Sequence, residues 1–171
     1  MERHLIELLE HSRHTVAFTG AGVSTLSGIP DFRGNQGLYR TQWNGMDVED
    51  VLSTEWFERD PSLFYGWATE FVFTLDAIRP SIVHHVLAKM ESKGYLEAIY
   101  TQNIDMLHQK AGSRAVWELH GSPLLSTCRG CGKTYQYDYC APLVRAHQVP
   151  TCPHCSGILK PNIVFYGDPL D

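Results

Sequence analysis

The stretch that decides the fold is TVAFTGAGVS, residues 15–24. It begins with a short apolar run, and the triplet Gly20-Ala21-Gly22 ends that run. A buried strand that leads into a glycine turn is the simplest interpretation of this pattern. The turn matches the start of the GxGxxG fingerprint of dinucleotide-binding folds, although Thr25 stands where the last small residue is expected. Taken alone, this partial match fits an ordinary tight turn equally well.

Helical and strand patterns alternate along the rest of the chain. Pro80 separates two helical stretches, and Gly94 closes the second of them. Strands that alternate with helices predict an α/β fold, here a Rossmann-like parallel sheet with helices on both faces. The predicted segments are a short first helix that includes residues 5–9, helices over 61–75 and 81–93, and strands over 15–18, 98–101, 115–119 and 162–166.

The composition excludes several classes of protein. The chain has 171 residues, of which 43% are hydrophobic and 19% charged, and this balance is typical of a globular protein. Its net charge of −5 gives no electrostatic reason to expect nucleic-acid binding. No apolar run approaches the roughly 18 residues of a membrane helix, and the charged first 14 residues do not resemble a secretory signal. We therefore expect a soluble, cytoplasmic protein without nucleic-acid or membrane partners.

Four of the five cysteines form two CxxC pairs at the spacing of a zinc ribbon. Four thiolates close a tetrahedron around one metal ion and leave no position for water or substrate. We therefore expect one structural Zn²⁺ per chain, whose binding energy helps a small inserted module to fold. Two disulfides or redox-active pairs are the alternative, which the ribbon spacing and the lack of a secretory signal disfavour. The predicted ligands are Cys128, Cys131, Cys152 and Cys155. Cys140 is expected to be a half-buried residue outside the metal site, and a substitute ligand is the alternative.

Three polar segments directly follow predicted strands. They are the glycine turn, the TQNID block at 101–105 and the LHG block at 119–121. The carboxyl ends of parallel strands meet at one edge of a sheet, where such folds bind their ligands. We therefore expect these three segments to converge on one crevice.

The order and separation of the sequence blocks give a resemblance to a known family. GAGVS at 20–24 continues into SGIPDFRG at 27–34, and the TQNID and LHG blocks precede the cysteines. KPNIVFYGD at 160–168 follows the cysteines. Blocks in this arrangement resemble the sirtuin family of NAD-dependent protein deacylases, in its bacterial-type deacetylase form. The resemblance covers nearly the whole chain from residue 15 onward.

The resemblance implies an NAD site. Phe32 would cover the reacting ribose carbon, and Arg33 would pair with the diphosphate. Gln102 would hold the ribose hydroxyls, and Asn103 would position a water or a ribose oxygen. Asp105 would accept a hydrogen bond from the nicotinamide carboxamide, although without the resemblance it is the N-cap of a following helix, and both roles are compatible. The implied cofactor residues are Gly20, Ala21, Gly22, Thr25, Asp31, Phe32, Arg33, Gln102, Asn103, Ile104 and Asp105.

The resemblance also implies a reaction, with His120 and Asn103 as its catalytic residues. The acyl oxygen of a modified lysine attacks the ribose carbon and displaces nicotinamide. His120 then takes a proton from a ribose hydroxyl, and water finally releases free lysine and an acylated ADP-ribose. ADP-ribosyl transfer or NAD hydrolysis in the same pocket is the alternative activity.

The implied partners are proteins or peptides that carry acetyl-lysine. Val164, Phe165, Tyr166 and Gly167 match the strand on which the family docks an extended peptide through backbone hydrogen bonds. Family members that act on succinyl- or malonyl-lysine carry a Tyr and an Arg in the helix after the cofactor loop. The matching residues 66–75 contain no Lys or Arg, and their Phe71 and Phe73 suggest an apolar pocket, so we expect acetyl or longer neutral acyl groups.

The length of the chain is short for this family, whose members continue with strands and helices that hold the adenosine half of NAD. We therefore expect an incomplete NAD-binding domain over 1–122 and 156–171, without its C-terminal strands, and a zinc module over 123–155. An incomplete copy of a sirtuin is the favoured interpretation. A natural short form that self-associates through an open sheet edge at 15–19 and an inactive zinc-binding interaction fragment are the alternatives.

Overall fold

The computed structural model describes residues 2–32, 34 and 37–170. Within that part of the chain the α-helices are α1 (Glu2–His11), α2 (Val48–Val51), α3 (Thr54–Arg59), α4 (Pro61–Phe71), α5 (Ile82–Ser92), α6 (Leu107–Lys110) and α7 (Tyr137–Arg145). The strands are β1 (Val16–Thr19), β2 (Gln42–Trp43), β3 (Met46–Asp47), β4 (Ala98–Thr101), β5 (Val116–Glu118), β6 (Gly121–Cys128), β7 (Thr134–Gln136) and β8 (Leu159–Ile163). Short 3-10 helices cover Ala21–Ser27, Leu38–Arg40 and Leu75–Ala77.

These elements form two compact units, each built from two separate stretches of chain. The first unit consists of Met1–Pro30 and Ile78–Leu119, and the second of Asp31–Ala77 and His120–Asp171. The cysteine module lies in the second unit. The finer domain boundaries expected at 122 and 155 stay predictions.

A parallel sheet in the order β1-β4-β5 organises the first unit and confirms the predicted α/β class. The residues Ile99 and Thr101 of β4 are buried, so one face of the central strand belongs to the core. Phe18, Tyr100 and Trp117 are register partners on the other face, with 67%, 37% and 60% of their surfaces exposed. The unit therefore carries a row of exposed aromatic rings across all three strands.

The helix predicted over 81–93 is α5, and local chemistry fixes both of its ends. The Ser81 amide donates to His84 Nδ1 at 3.1 Å, and this bond caps the first turn. Gly94 has φ +77°, the left-handed conformation that ends helices and that glycine adopts without strain.

An antiparallel sheet in the order β7-β6-β8 organises the second unit, together with α2, α3, α4 and α7. Its core is aromatic, with Phe64 in ring contact with Phe57, Tyr65 and Phe165. The first residue of β6 must be glycine, because Gly121 has φ +73° and a Cβ there would lie 2.0 Å from the Asn162 carbonyl oxygen.

The strand predicted over 162–166 was placed wrongly. The observed strand β8 begins at Leu159, ends at Ile163 and pairs antiparallel with β6, outside the parallel sheet. After Ile163 the chain turns, because the Phe165 amide donates to the Asp168 carboxylate at 3.0 Å instead of to a neighbouring strand. The apolar residues Ile163 and Phe165 are buried nonetheless, which explains why the local pattern looked like a strand.

In the part of the chain that the structure describes, no helix is both long enough and apolar enough to span a membrane.

Candidate functional site

The glycine turn leaves open space at the end of β1. Gly20 has an extended backbone, with φ −141°, and a Cβ on Gly20 or Gly22 would meet no described protein atom within 4 Å. The fold therefore does not itself require glycine at these two positions. Small residues there keep the backbone accessible to a ligand, as in phosphate-binding turns. Thr25 is exposed on the same turn and donates to the Gly22 carbonyl at 2.9 Å.

A buried polar network lies directly behind this turn. Ser24 donates to Asp105 Oδ2 at 2.6 Å, and Asn103 Nδ2 donates to the Ser24 hydroxyl and to the Gly20 carbonyl, each at 3.1 Å. The other Asp105 oxygen accepts the Leu107 amide at 3.0 Å, so this carboxylate supports the start of α6 as its sequence position suggested. The network thus joins the TQNID block to the glycine turn inside one unit. Gln102, by contrast, is exposed, and Ile104 is half-buried.

Two buried histidines extend the same network. His108 Nε2 lies 2.9 Å from Thr19 Oγ1, and the centre of its ring is 4.8 Å from that of His84. Burial lowers the pKa of His108 to about 4, reinforced by His84 and opposed by Asp105. Burial lowers the pKa of His84 as well. Both imidazoles are therefore neutral near pH 7.

The remaining expected cofactor residues lie in the second unit. Asp31 Oδ1 accepts the Gly34 amide at 2.8 Å, and the Phe32 ring lies 5.0 Å from the ring of Tyr39. Both residues are half-buried. Arg33 lies outside the described residues.

The proposed base, His120, also belongs to the second unit. It follows β5 and precedes β6 in the sequence, it is half-buried, and its carbonyl accepts the Val164 amide at 2.8 Å. One hydrogen bond thereby ties the backbone of His120 to the expected peptide-docking segment.

Much of the backbone of that segment is already hydrogen-bonded within the protein. The Tyr166 amide donates to the Leu52 carbonyl and its carbonyl accepts the Thr54 amide, both at 2.9 Å. Both backbone groups of Phe165 are bonded to Asp168. Within the described chain, the Val164 carbonyl and the peptide groups of Gly167 have no such partner.

The four predicted zinc ligands come together. Their sulfur atoms all lie within 4.8 Å of one another, with Cys128 and Cys155 3.4 Å apart and Cys131 and Cys152 3.7 Å apart. A zinc ion with Zn–S bonds of about 2.3 Å separates its thiolates by roughly 3.8 Å, so the cluster fits one tetrahedral ion. No pair is at disulfide distance, and all five cysteines are free thiols. Cys140 does not belong to the cluster, and it is fully buried where a half-buried position was expected.

Sequence reasoning missed several members of the polar network. Ser24 lies inside the glycine turn and is 99% buried between the Asn103 amide and the Asp105 carboxylate. A serine in a turn gives no indication in the sequence of such burial. His108 lies three residues after the end of the TQNID block, and only the packing against β1 reveals its contact with Thr19. Phe73, expected to line an acyl pocket, is fully buried and stacks on Tyr137 with a ring separation of 5.4 Å, so it is a core residue.

A parallel sheet that ends in an open glycine turn is typical of a Rossmann-like α/β protein, and the four clustered cysteines of this chain are arranged to fit a zinc ion. Comparison with known proteins narrows the class. The chain belongs to the Sir2 family, which it matches over residues 20–171.

Individual relatives are similar over almost the whole chain. An NAD-dependent protein deacylase of Aeropyrum pernix is 43% identical over 164 residues, covering 96% of this chain and 64% of the relative. An NAD-dependent protein deacetylase of Thermotoga maritima is 42% identical over 168 residues, covering 98% and 66%. A solved Sir2 structure with a deacetylated p53 peptide and 3′-O-acetyl ADP-ribose matches with a TM-score of 0.88 at 42% identity, covering 99% of this chain and 67% of that one. This chain thus spans just under two thirds of the length of those two curated relatives.

Proposed function

We propose that this chain carries the nicotinamide side and the peptide side of an NAD-dependent protein-lysine deacetylase. The observation that supports this most directly is the Ser24–Asn103–Asp105 network behind an open glycine turn. Asp105 is buried, and its two oxygens are held by Ser24 and by the Leu107 amide. A carboxylate held in this way is preorganised to accept a hydrogen bond from a carboxamide.

The cofactor would bring the reactive centre. When bound, NAD supplies an electrophilic ribose carbon with nicotinamide as its leaving group. The residues proposed to hold it are those of the glycine turn with Thr25, the TQNID block, and Asp31 and Phe32, and Arg33 completes the proposed set. Phe32 would shield the reacting centre from water, because an apolar ring excludes competing nucleophiles.

His120 is the proposed general base. One nitrogen of its imidazole, Nδ1 or Nε2, would accept a proton from a ribose hydroxyl, and the proton would later pass to the departing lysine amine. The hydrogen bond between the His120 carbonyl and the Val164 amide fixes the backbone of the base relative to the peptide-docking segment. Asn103 would position the attacking oxygen.

The proposed substrate is an extended peptide with an acetylated lysine. Docking would use the Val164 carbonyl and the peptide groups of Gly167, since Phe165 and Tyr166 are engaged by the protein itself. Of the four residues predicted to dock the peptide, we therefore propose that two, Val164 and Gly167, form its backbone hydrogen bonds. Free thiols in the zinc cluster also favour a reducing compartment, and we propose the cytoplasm.

Mass spectrometry of an acetyl-lysine peptide incubated with NAD and the full chain tests the function. We expect the peptide to lose one acetyl group and His120→Ala to abolish this loss, because the base is removed. An ADP-ribose adduct on the peptide would instead establish the alternative activity. Unchanged peptide and unchanged NAD would contradict both.

The same assay tests the acyl preference with matched acetyl- and succinyl-lysine peptides. We expect at least tenfold faster release of acetyl, because residues 66–75 offer no cation to a succinyl carboxylate and their one charged residue is Glu70. Faster release of succinyl would contradict the proposed neutral pocket.

A further inference from the structure

We infer that Lys160 and Asp168 are positioning residues that hold the peptide-docking segment, residues 163–168, in the shape that presents Val164 and Gly167 to a substrate. The inference rests on the proposed function and adds two residues to it. Neither side chain belongs to the predicted catalytic, cofactor or zinc sets.

Lys160 fixes the start of the segment through three contacts. Its side chain is only 11% exposed, and Nζ donates to the Ile163 carbonyl at 3.1 Å and to Asp168 Oδ2 at 2.7 Å. Nζ also lies 4.0 Å from the centre of the Phe165 ring, which is within the range of a cation–π interaction. The buried Lys160 ammonium group thus donates a hydrogen bond to Ile163, contacts the Phe165 ring and forms an ion pair with Asp168.

Asp168 fixes the end of the segment. Its Oδ2 also accepts the Phe165 amide at 3.0 Å, and its Oδ1 accepts the Thr54 hydroxyl at 2.7 Å. Although burial by itself raises the pKa of Asp168, the hydrogen bonds from Lys160, Thr54 and Phe165 outweigh burial and lower it. The carboxylate is therefore ionised near pH 7 and remains paired with Lys160.

The outer side of the segment is held independently by residues 52–54. The Tyr166 amide and carbonyl are bonded to Leu52 and Thr54, as a short parallel bridge between Ser53 and Tyr166. With both sides fixed, the Val164 carbonyl and the peptide groups of Gly167 are the backbone groups within residues 164–167 that have no partner among the described residues and can bind a peptide.

The chemistry of the pair favours positioning over stabilisation as its role. A buried ion pair contributes little net stability compared with an apolar pair of similar size, because both charges must lose their water. Its directional bonds nevertheless fix the geometry of the groups around it. A turn that only had to fill space would need no buried lysine.

The test compares the affinity of an acetyl-lysine peptide with the stability of the whole chain. Lys160→Met keeps the length and removes the charge, Asp168→Asn keeps an acceptor and removes the charge, and Lys160→Arg restores the cation. The matched control is Arg145→Met, because Arg145 likewise donates to a carbonyl, that of Phe73, and pairs with Asp76 in the same unit but away from the segment. Peptide affinity is measured by fluorescence anisotropy, and stability by urea unfolding of each zinc-loaded chain.

We expect Lys160→Met and Asp168→Asn to weaken peptide binding roughly tenfold or more, the scale of one lost charge-assisted hydrogen bond. Lys160→Arg should recover most of the affinity, and Arg145→Met should lower stability without changing affinity. Equal affinity of Lys160→Met and wild type would overturn the inference and leave the proposed function intact. A loss of affinity in Arg145→Met that matches its loss of stability would also overturn it. If the wild-type chain bound no peptide, the proposed function itself would fail.

Discussion

At the scale of single residues, the burial of two histidines is the feature that the sequence predicts least well. His84 and His108 are fully buried. The ring of His84 is hydrogen-bonded to the Ser81 hydroxyl, and the ring of His108 to the Thr19 hydroxyl. Periodicity predicted the helix that carries His84. The neutral state of both rings follows from packing between α5, α6 and β1, which no local pattern encodes.

The pH dependence of folding follows from the lowered pKa of His108. Unfolded histidine titrates near 6.5 and His108 in the folded chain near 4, so the unfolded state binds more protons between these values. Stability contributed by the neutral ring is complete above about pH 6.5 and falls by about 3 kcal/mol as the pH drops toward 4.

Urea unfolding at a series of pH values measures this effect in wild type and in His108→Asn. The variant keeps an amide for Thr19 and has no titrating ring, so we expect a flatter dependence of unfolding free energy on pH. His4→Asn, at an exposed position, serves as the control and should follow wild type. If the unfolding free energy depended equally on pH in wild type and in His108→Asn, another group would be responsible for the loss of stability at acid pH.

At the scale of elements, prediction worked where local chemistry decides the outcome. Strand β4 was predicted residue for residue, because its Ile, Tyr and Thr side chains all favour strands. The cysteine ligands were predicted from spacing alone, because two knuckles need only local turns. Strand β8 was misplaced by three residues because its end depends on pairing with β6 and on the bonds of Asp168, and these partners are distant in sequence or in the following turn.

The zinc knuckles depend on one close backbone approach. A Cβ on Gly157 would lie 2.9 Å from Cys128 Sγ and 3.1 Å from the Gly130 amide nitrogen. We expect Gly157→Ala to move one thiolate and to weaken zinc binding by at least tenfold, with a loss of roughly 1–3 kcal/mol in stability.

Competition with a chromophoric chelator measures the zinc affinity of this variant. Gly66→Ala is the matched control, because a Cβ there meets Trp43 only at ordinary contact distances, 3.8 Å and more, and alanine favours helix α4. The control should bind zinc as wild type does. Wild-type affinity in Gly157→Ala would mean that the knuckle tolerates the extra methyl group.

At the scale of the whole molecule, the first unit has an unusually apolar surface. Phe18, Tyr100 and Trp117 cross the sheet as one exposed row, and β1 is an edge strand of the described sheet. Val16 is 55% exposed on the same strand. Exposed apolar edge strands promote pairing between molecules.

Self-association through this edge is therefore expected in solution. Analytical ultracentrifugation should detect concentration-dependent oligomers of the wild-type chain, and Phe18→Lys should reduce them, because a charge on an edge strand opposes pairing. Leu170→Lys, at an equally exposed apolar position in the other unit, is the control. A monomeric wild-type chain at high concentration would contradict the prediction.

The division into two discontinuous units also constrains how the protein is made. The chain leaves one unit for the other after residues 30, 77 and 119. During synthesis β1 emerges early, but its partner β4 is complete only after residue 101, and the whole first unit only after residue 119. The second unit cannot form until β8, which ends at Ile163, has also been made. Nascent chains therefore carry the apolar strand β1 unpaired until residues 98–101 have been made, and we expect chaperones that shield such strands to raise the yield.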